Sequence, residues 1–114
     1  MKTIIYHNPS CSKSCETLSI LEETYEEVTI IDYVNNPPGI TELTQLIAQL
    51  GIAPEQLVRK NEPIYLEQFN DTHYTDDEWI VILSRHPILI ERPIVVKDGK
   101  AIIGRPPKLV YTIL

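Results

Sequence analysis

The sequence predicts an α/β protein in which a strand–helix–strand unit and a strand–strand–helix unit flank a helical stretch. Two β-branched segments at 3–6 (TIIY) and 28–33 (VTIIDY) enclose a helical pattern. Near the end of the chain, apolar runs at 94–96 and 101–103 enclose an Asp-Gly pair, which is typical of a β-hairpin. Between the two units, apolar residues recur at helical spacing.

The first unit opens with the strand at 3–6, and its helix is expected to start near Ser12. The acidic segment 22–27 (EETYEE) ends this helix, and the strand at 28–33 follows. Because a helix joins the two strands, they are expected to be parallel with a right-handed crossover.

Turn-forming residues at 35–39 (NNPPG) break the chain before the helical stretch. Thr41 is expected to cap a helix that ends at Gly51. Residues 54–58 (PEQLV) begin with a proline that suits a first helical turn, and residues 59–63 (RKNEP) end this short helix. The apolar positions of the earlier helix are Leu43, Leu46, Ile47 and Leu50.

Residues 75–83 (TDDEWIVIL) open with a capping box, which favours a helix rather than a strand for the apolar run that follows. A hairpin is expected over 94–103 (IVVKDGKAII), and a closing helix after the prolines at 106–107. No repeat, low-complexity tract or linker divides the sequence. A single domain over residues 1–114 is therefore expected.

The charge of the chain is uneven along its length. The formal net charge is −6, which argues against nonspecific binding to nucleic acid. Residues 1–57 carry two lysines, no arginine and eight acidic residues, whereas residues 58–114 carry eight basic and eight acidic residues. All the arginines lie in the second half: Arg59, Arg85, Arg92 and Arg105.

The N-terminal apolar run is too short for a signal peptide, and no segment approaches the length of a membrane span. We therefore expect a soluble, cytoplasmic protein that does not associate with membranes. In a reducing compartment, the two cysteines, Cys11 and Cys15, are expected to be thiols with redox or nucleophilic roles.

Cys11 lies in the loop 7–14 (HNPSCSKS), between the first predicted strand and the first predicted helix. The backbone N–H groups at a helix N-terminus lack partners inside the helix, and the helix dipole is positive there. Both effects favour a thiolate, so Cys11 is a candidate nucleophile. The alternative is a small buried thiol that packs beneath the helix.

Several segments together carry a family resemblance. They are residues 7–14 (HNPSCSKS), 59–61 (RKN), 75–77 (TDD), 86–96 (HPILIERPIVV) and 104–106 (GRP). In this order, and over nearly the whole chain, they resemble the glutaredoxin-coupled arsenate reductase family. The resemblance implies a thioredoxin-like fold with a helical insertion between its two halves.

The resemblance also implies a mechanism. The cysteine in the position of Cys11 attacks arsenate, glutathione then attacks the arsenic, and glutaredoxin resolves the mixed disulfide as arsenite leaves. No cofactor stays bound, since glutathione is a co-substrate. His7 matches a histidine associated with activation of the nucleophile, and Ser14 a hydroxyl near the thiolate. The positions of the family's oxyanion clamp are Arg59, Arg92 and Arg105. A cis bond between Arg92 and Pro93 is implied as well.

Elementary chemistry gives an independent reason for arginines at such a site. Arsenate is an anion near neutral pH, so an acidic protein needs a local cationic pocket to bind it. Guanidinium groups remain charged, and their forked donors match the geometry of an oxyanion. The same cations would lower the pKa of the Cys11 thiol, to roughly 3.5–7.5 in known reactive sites.

Cys15 departs from the family, whose members usually have a basic residue there. It stands four residues after Cys11, near the outer limit of disulfide geometry. Cys15 is therefore either a resolving thiol or an ordinary helix cysteine. His7 and the two cysteines have atoms that suit zinc, but no fourth ligand is evident, so no metal site is expected.

Two other functions remain open. Spx-type regulators share this fold and use a redox-sensitive cysteine pair to modulate binding to RNA polymerase, although that pair has two intervening residues and this chain has three. Alternatively, the same pocket could serve a thiol reductase for another oxyanion. Arg85, His73 and His86 are expected to be structural or exposed.

Overall fold

A computed structural model describes residues 3–24 and 27–114 of the chain. It comprises two compact units, one formed by Met1–Asn36 together with Arg92–Leu114, and the other by Pro37–Glu91. The second unit is helical and is inserted between the two halves of the first, as the sequence predicts. That the chain acts as one domain stays a prediction.

The first unit is built on a four-stranded mixed sheet in the order β2-β1-β3-β4. Its strands are β1 (Thr3–His7), β2 (Val28–Asp32), β3 (Ile94–Lys97) and β4 (Lys100–Ile103). The predicted parallel pairing of β1 with β2 is confirmed, and β3 runs antiparallel to both β1 and β4. In register, Ile5 pairs with Ile30 on one side and Val95 on the other.

Helix α1 (Ser12–Glu23) connects β1 to β2 and covers the sheet. It begins at Ser12, as predicted, and its buried side includes the polar residues Ser14 and Thr17. A cluster of fully buried apolar side chains joins the helix, the sheet and the closing segment: Ile5, Leu21, Val95 and Val110. This burial of apolar surface is the main driving force that orders the unit.

The predicted hairpin is confirmed between β3 and β4. Asp98 and Gly99 form its turn with φ values of 54° and 76°, the left-handed region that Asp-Gly pairs accept. The closing segment Pro107–Thr112 is a 3-10 helix, not the α-helix expected. The segment is only six residues long, and 3-10 geometry is common in short connecting segments.

The second unit contains three α-helices and two 3-10 helices. The α-helices are α2 (Ile40–Leu50), α3 (Pro63–Gln68) and α4 (Asp76–Arg85), and the 3-10 helices are Pro54–Leu57 and Pro87–Leu89. The capping box of α4 is confirmed: Thr75 Oγ1 accepts from the Glu78 N–H at 3.2 Å, and Glu78 Oε1 accepts from the Thr75 N–H at 2.9 Å.

One boundary and one additional helix in this unit differ from the sequence prediction. Gly39, not Thr41, is the N-cap of α2, because extended backbone continues only as far as Gly39 and the helix begins directly after it. Gly51 ends α2 in the left-handed region with φ 69°, as predicted. Helix α3 was not predicted, although Pro63 occupies its first turn. None of the helices in the described part of the chain is long and apolar enough to cross a membrane.

Candidate active site

Cys11 lies between β1 and α1, in a loop held by backbone hydrogen bonds. It is the N-cap of α1 and has extended backbone, with φ −105° and ψ 120°. Its N–H donates to the Asn8 carbonyl at 3.0 Å, and Asn8 Oδ1 accepts from the Ser10 N–H at 2.9 Å. The loop therefore fixes the sulfur at the positive end of the helix dipole.

Charged and polar donors surround the Cys11 sulfur. Burial alone raises the pKa of this thiol, whose residue is only 8% exposed. Four donors oppose burial: the backbone N–H of Ser14, the Arg92 side chain, the backbone N–H of Lys13 and the charge of Arg105. Together they outweigh it, and the pKa of Cys11 falls below its ordinary value. The thiolate is thus favoured.

Arg92 and Arg105 reach the sulfur from the open end of the β3–β4 hairpin, one just before β3 and the other just after β4. An Arg105 terminal nitrogen lies 3.4 Å from Cys11 Sγ, and Arg105 Nε donates to the Arg92 carbonyl at 2.7 Å. The Arg92–Pro93 bond is cis, as the resemblance implies, and the Arg105–Pro106 bond is also cis. Two guanidinium groups are thereby gathered beside one sulfur, which suits the binding of an oxyanion.

His7 contacts Ser14, and Ser14 in turn contacts the backbone of the Cys11 loop. His7 Nδ1 and Ser14 Oγ are 2.6 Å apart, and Ser14 Oγ also accepts from the Asn8 N–H at 3.0 Å. Burial lowers the pKa of His7, although the neighbouring Asp32 carboxylate partly offsets this effect. A neutral His7 at neutral pH can hold Ser14 in place, and Ser14 in turn presents its N–H to the Cys11 sulfur.

Arg59 lies in the second unit, where two carboxylates hold it. Its Nε is 3.2 Å from Glu62 Oε1, and one terminal nitrogen is 2.8 Å from Glu91 Oε1. Its backbone N–H donates to the Leu89 carbonyl at 2.7 Å. The role of Arg59 in binding an oxyanion stays a prediction.

Cys15 is exposed on the first turns of α1, and both cysteines are free thiols. Its sulfur lies 3.4 Å from the Pro9 carbonyl, so the side chain points back toward the loop that carries Cys11. This direction follows from helix geometry, since Cβ atoms tilt toward the helix N-terminus.

Tyr33 and Asn8 also belong to this site, and neither was predicted from the sequence. Tyr33 directly follows β2, and its buried hydroxyl faces the side chains of Arg92 and Asn8. A signal was present, because β1 and β2 are parallel and their carboxyl ends meet at the same edge of the sheet. A polar residue after β2 is therefore a neighbour of the loop after β1.

The other arginine and the two remaining histidines belong to the second unit. Arg85 and His73 are exposed, and His86 packs its ring 5.4 Å from that of Phe69. Within residues 3–24 and 27–114, no group of three or more His, Cys, Asp or Glu residues could hold a metal ion.

Comparison with known proteins gives a consistent result. The model of the ArsC family matches residues 6–113. The chain is 43% identical to an arsenate reductase of Acidiphilium multivorum and 44% identical to one of Escherichia coli, each over 111 residues that cover 96% of this chain and 79% of the relative.

A solved structure described as an arsenate reductase from Vibrio cholerae is similar with a TM-score of 0.95 and 43% identity. The match covers 100% of this chain and 98% of that one. The likeness confirms the thioredoxin-like fold expected from the sequence and does not favour the regulator interpretation. The chain belongs to the ArsC family.

Proposed function

We propose that this protein reduces arsenate to arsenite, with the Cys11 sulfur as the nucleophile. The observation that carries the proposal is the lowered pKa of Cys11 beside two guanidinium groups. The names of the relatives at 43–44% identity support arsenate as the substrate. A cytoplasmic location is part of the proposal, since a reducing compartment keeps the thiol usable.

The chemistry balances with two thiols for each arsenate. The Cys11 thiolate attacks arsenic, an As–O bond breaks, and that oxygen leaves as water after taking up protons. A glutathione thiol then attacks the adduct. Arsenic gains the electron pair of its As–S bond and leaves as arsenite, while the two sulfurs form a mixed disulfide. Glutaredoxin, with further glutathione, reduces this disulfide and restores Cys11.

Some residues of the site act through their charge, and another acts by holding its neighbour in position. Arg92 and Arg105 bind the oxyanion and stabilise the charge that develops on its oxygens. His7 acts through Ser14, whose backbone N–H stabilises the thiolate, and is therefore a positioning residue. A role for Arg59 stays a prediction, and in the second unit its guanidinium is paired with Glu62 and Glu91.

Arsenite formation tests the proposal directly. With arsenate, glutathione and glutaredoxin, the wild-type protein is expected to produce arsenite over many turnovers, and Cys11→Ser none. Cys15→Ser is the matched control, because it removes a thiol from the same helix and leaves the nucleophile. Equal activity in Cys11→Ser would contradict the proposal. Turnover of a different oxyanion, but not of arsenate, would support the same thiol chemistry with a different substrate.

We propose in addition that Cys15 resolves the adduct when glutathione is absent. Its exposed sulfur points toward the loop of Cys11, and the Cys15 N–H donates to the Cys11 carbonyl at 3.0 Å, which keeps the two residues one helical turn apart. The Cys15 thiolate attacks Cys11 Sγ, the S–As bond breaks with its electrons on arsenic, and a Cys11–Cys15 disulfide forms as arsenite leaves.

A single-turnover experiment tests this role. Without added thiol, reduced wild-type protein is expected to release about one arsenite per chain and to lose the mass of two hydrogen atoms. Cys15→Ser should release none under these conditions, yet turn over normally with glutathione and glutaredoxin. Equal arsenite release from both proteins, or no internal disulfide by mass spectrometry, would identify Cys15 as an ordinary helix cysteine.

A further inference from the structure

Tyr33 places a deeply buried hydroxyl in the Cys11 site. The residue is 1% exposed and directly follows β2, at the sheet edge where the Cys11 loop begins. Within the described residues, its Oη makes no hydrogen bond of ordinary geometry. Buried hydroxyl groups in folded proteins nearly always have a partner, so an orphan in a reactive site calls for an explanation.

The polar neighbours of this hydroxyl are hydrogen-bond donors. The side chains of Arg92 and Asn8 face the Tyr33 oxygen, and a guanidinium has no acceptor atom. Asn8 Oδ1 accepts from the Ser10 N–H at 2.9 Å and accepts none from the Tyr33 hydroxyl. The hydroxyl proton of Tyr33 is thus the group that lacks a partner, and a bound anion would supply the acceptor.

We propose that the Tyr33 hydroxyl donates a hydrogen bond to an oxygen of the tetrahedral oxyanion that Arg92 and Arg105 bind. This inference rests on the proposed function and adds a substrate-binding residue to it. Tyr33 supplies a neutral, directional donor next to two cations. Burial raises the pKa of Tyr33, so its hydroxyl keeps its proton throughout the neutral range and can act as a donor.

The Tyr33→Phe variant tests the donor with minimal change in shape. We expect kcat/KM for arsenate to fall by roughly ten- to a hundredfold, the usual effect of losing a hydrogen bond to a charged group. Arsenate should protect Cys11 from alkylation at correspondingly higher concentration. The urea midpoint should not fall, because the variant removes a buried hydroxyl that has no partner.

The matched control is Tyr65→Phe, which removes the hydroxyl of a buried tyrosine in the second unit. It should behave as wild type in both assays. Equal arsenate reduction and equal protection in Tyr33→Phe would overturn the inference. A rise in the alkylation pKa of Cys11 in that variant would also overturn it, because the donor would then act on the sulfur.

Failure of the proposed function looks different from failure of this inference. If wild-type protein forms no arsenite but arsenate still protects Cys11, the reductase proposal fails, and the comparison of protection between wild type and Tyr33→Phe still decides the role of Tyr33.

Discussion

At the scale of single residues, the reactivity of Cys11 is a balance between burial and donors. Burial is the largest single influence and favours the neutral thiol, yet the pKa is lowered overall. The two backbone N–H groups come with the helix N-terminus and would serve any cysteine at this position. The guanidinium groups of Arg92 and Arg105 are what this chain adds.

Arg105→Ala is expected to weaken both the nucleophile and the binding of substrate. Loss of the Arg105 charge raises the pKa of Cys11, so the pH profile of its alkylation by iodoacetamide should move to higher pH. Arsenite formation should fall by roughly 10²–10³-fold, as for the loss of one oxyanion donor. Arg85→Ala, which removes an exposed arginine, is the control and should leave both measurements unchanged. An unchanged alkylation profile in Arg105→Ala would rule out this role.

Residue type and position in the sequence led to Cys11 but not to all of its neighbours. Cys11 could be found because a single cysteine before a helix is a local pattern. The parallel pairing of β1 and β2 places Tyr33 and Asn8 at the same sheet edge, but the direction of their side chains there could not be predicted from the sequence. Local sequence does not encode that direction.

At the scale of secondary structure, Gly104 is the tightest point where β4 leaves the sheet. A Cβ at this position would lie 2.8 Å from Thr17 Oγ1 and 2.9 Å from Pro93 Cγ. The Gly104 N–H donates to the Pro93 carbonyl at 2.9 Å. The absence of a side chain therefore lets the end of β4 pack closely against α1 and against the proline that follows Arg92.

Gly104→Ala is expected to lower the free energy of unfolding by about 1–3 kcal/mol, the usual cost of overpacking a core. Thr17→Ala, which removes one of the two obstructing side chains, should partly relieve the clash. The double variant should then be more stable than the sum of the two single effects implies, as measured by urea unfolding. Strict additivity would show that Thr17 is not the obstacle.

Signals carried by two to four adjacent residues predicted the elements well. The Asp98–Gly99 turn, the Thr75 cap and the left-handed Gly51 were all predicted, because each depends on local backbone preference. The N-cap of α2 and the 3-10 form of Pro107–Thr112 were not. Packing shifts such boundaries by a residue or two, and neither difference displaces the Cys11 loop.

At the scale of the whole molecule, an acidic protein assembles a local cationic site. The net charge is −6, and the first 57 residues contain no arginine. Folding of the first unit brings Arg92 and Arg105 to Cys11 from the far end of the sequence. The site depends on topology, because no segment of the chain is strongly basic.

Anion binding is therefore expected to stabilise the folded protein. In Cys11→Ser, which keeps Arg92 and Arg105 but lacks the nucleophile, arsenate at one hundred times its dissociation constant should add about 2.7 kcal/mol. For a chain of this size, that is a rise of roughly 10 °C in the thermal midpoint. Sodium chloride at matched ionic strength is the control, because it screens the net negative charge without offering a tetrahedral oxyanion. An equal rise with both salts would mean that arsenate has no specific site.

The contact between Arg105 and Cys11 spans 94 positions of the chain. A nascent chain that has not yet been extended to Arg105 therefore contains a Cys11 thiol without that cation. The sulfur can acquire this cation only after the chain has been extended past Arg105 and the β3–β4 hairpin has formed. The rate at which Cys11 reacts with an alkylating agent is therefore expected to rise once this hairpin has formed.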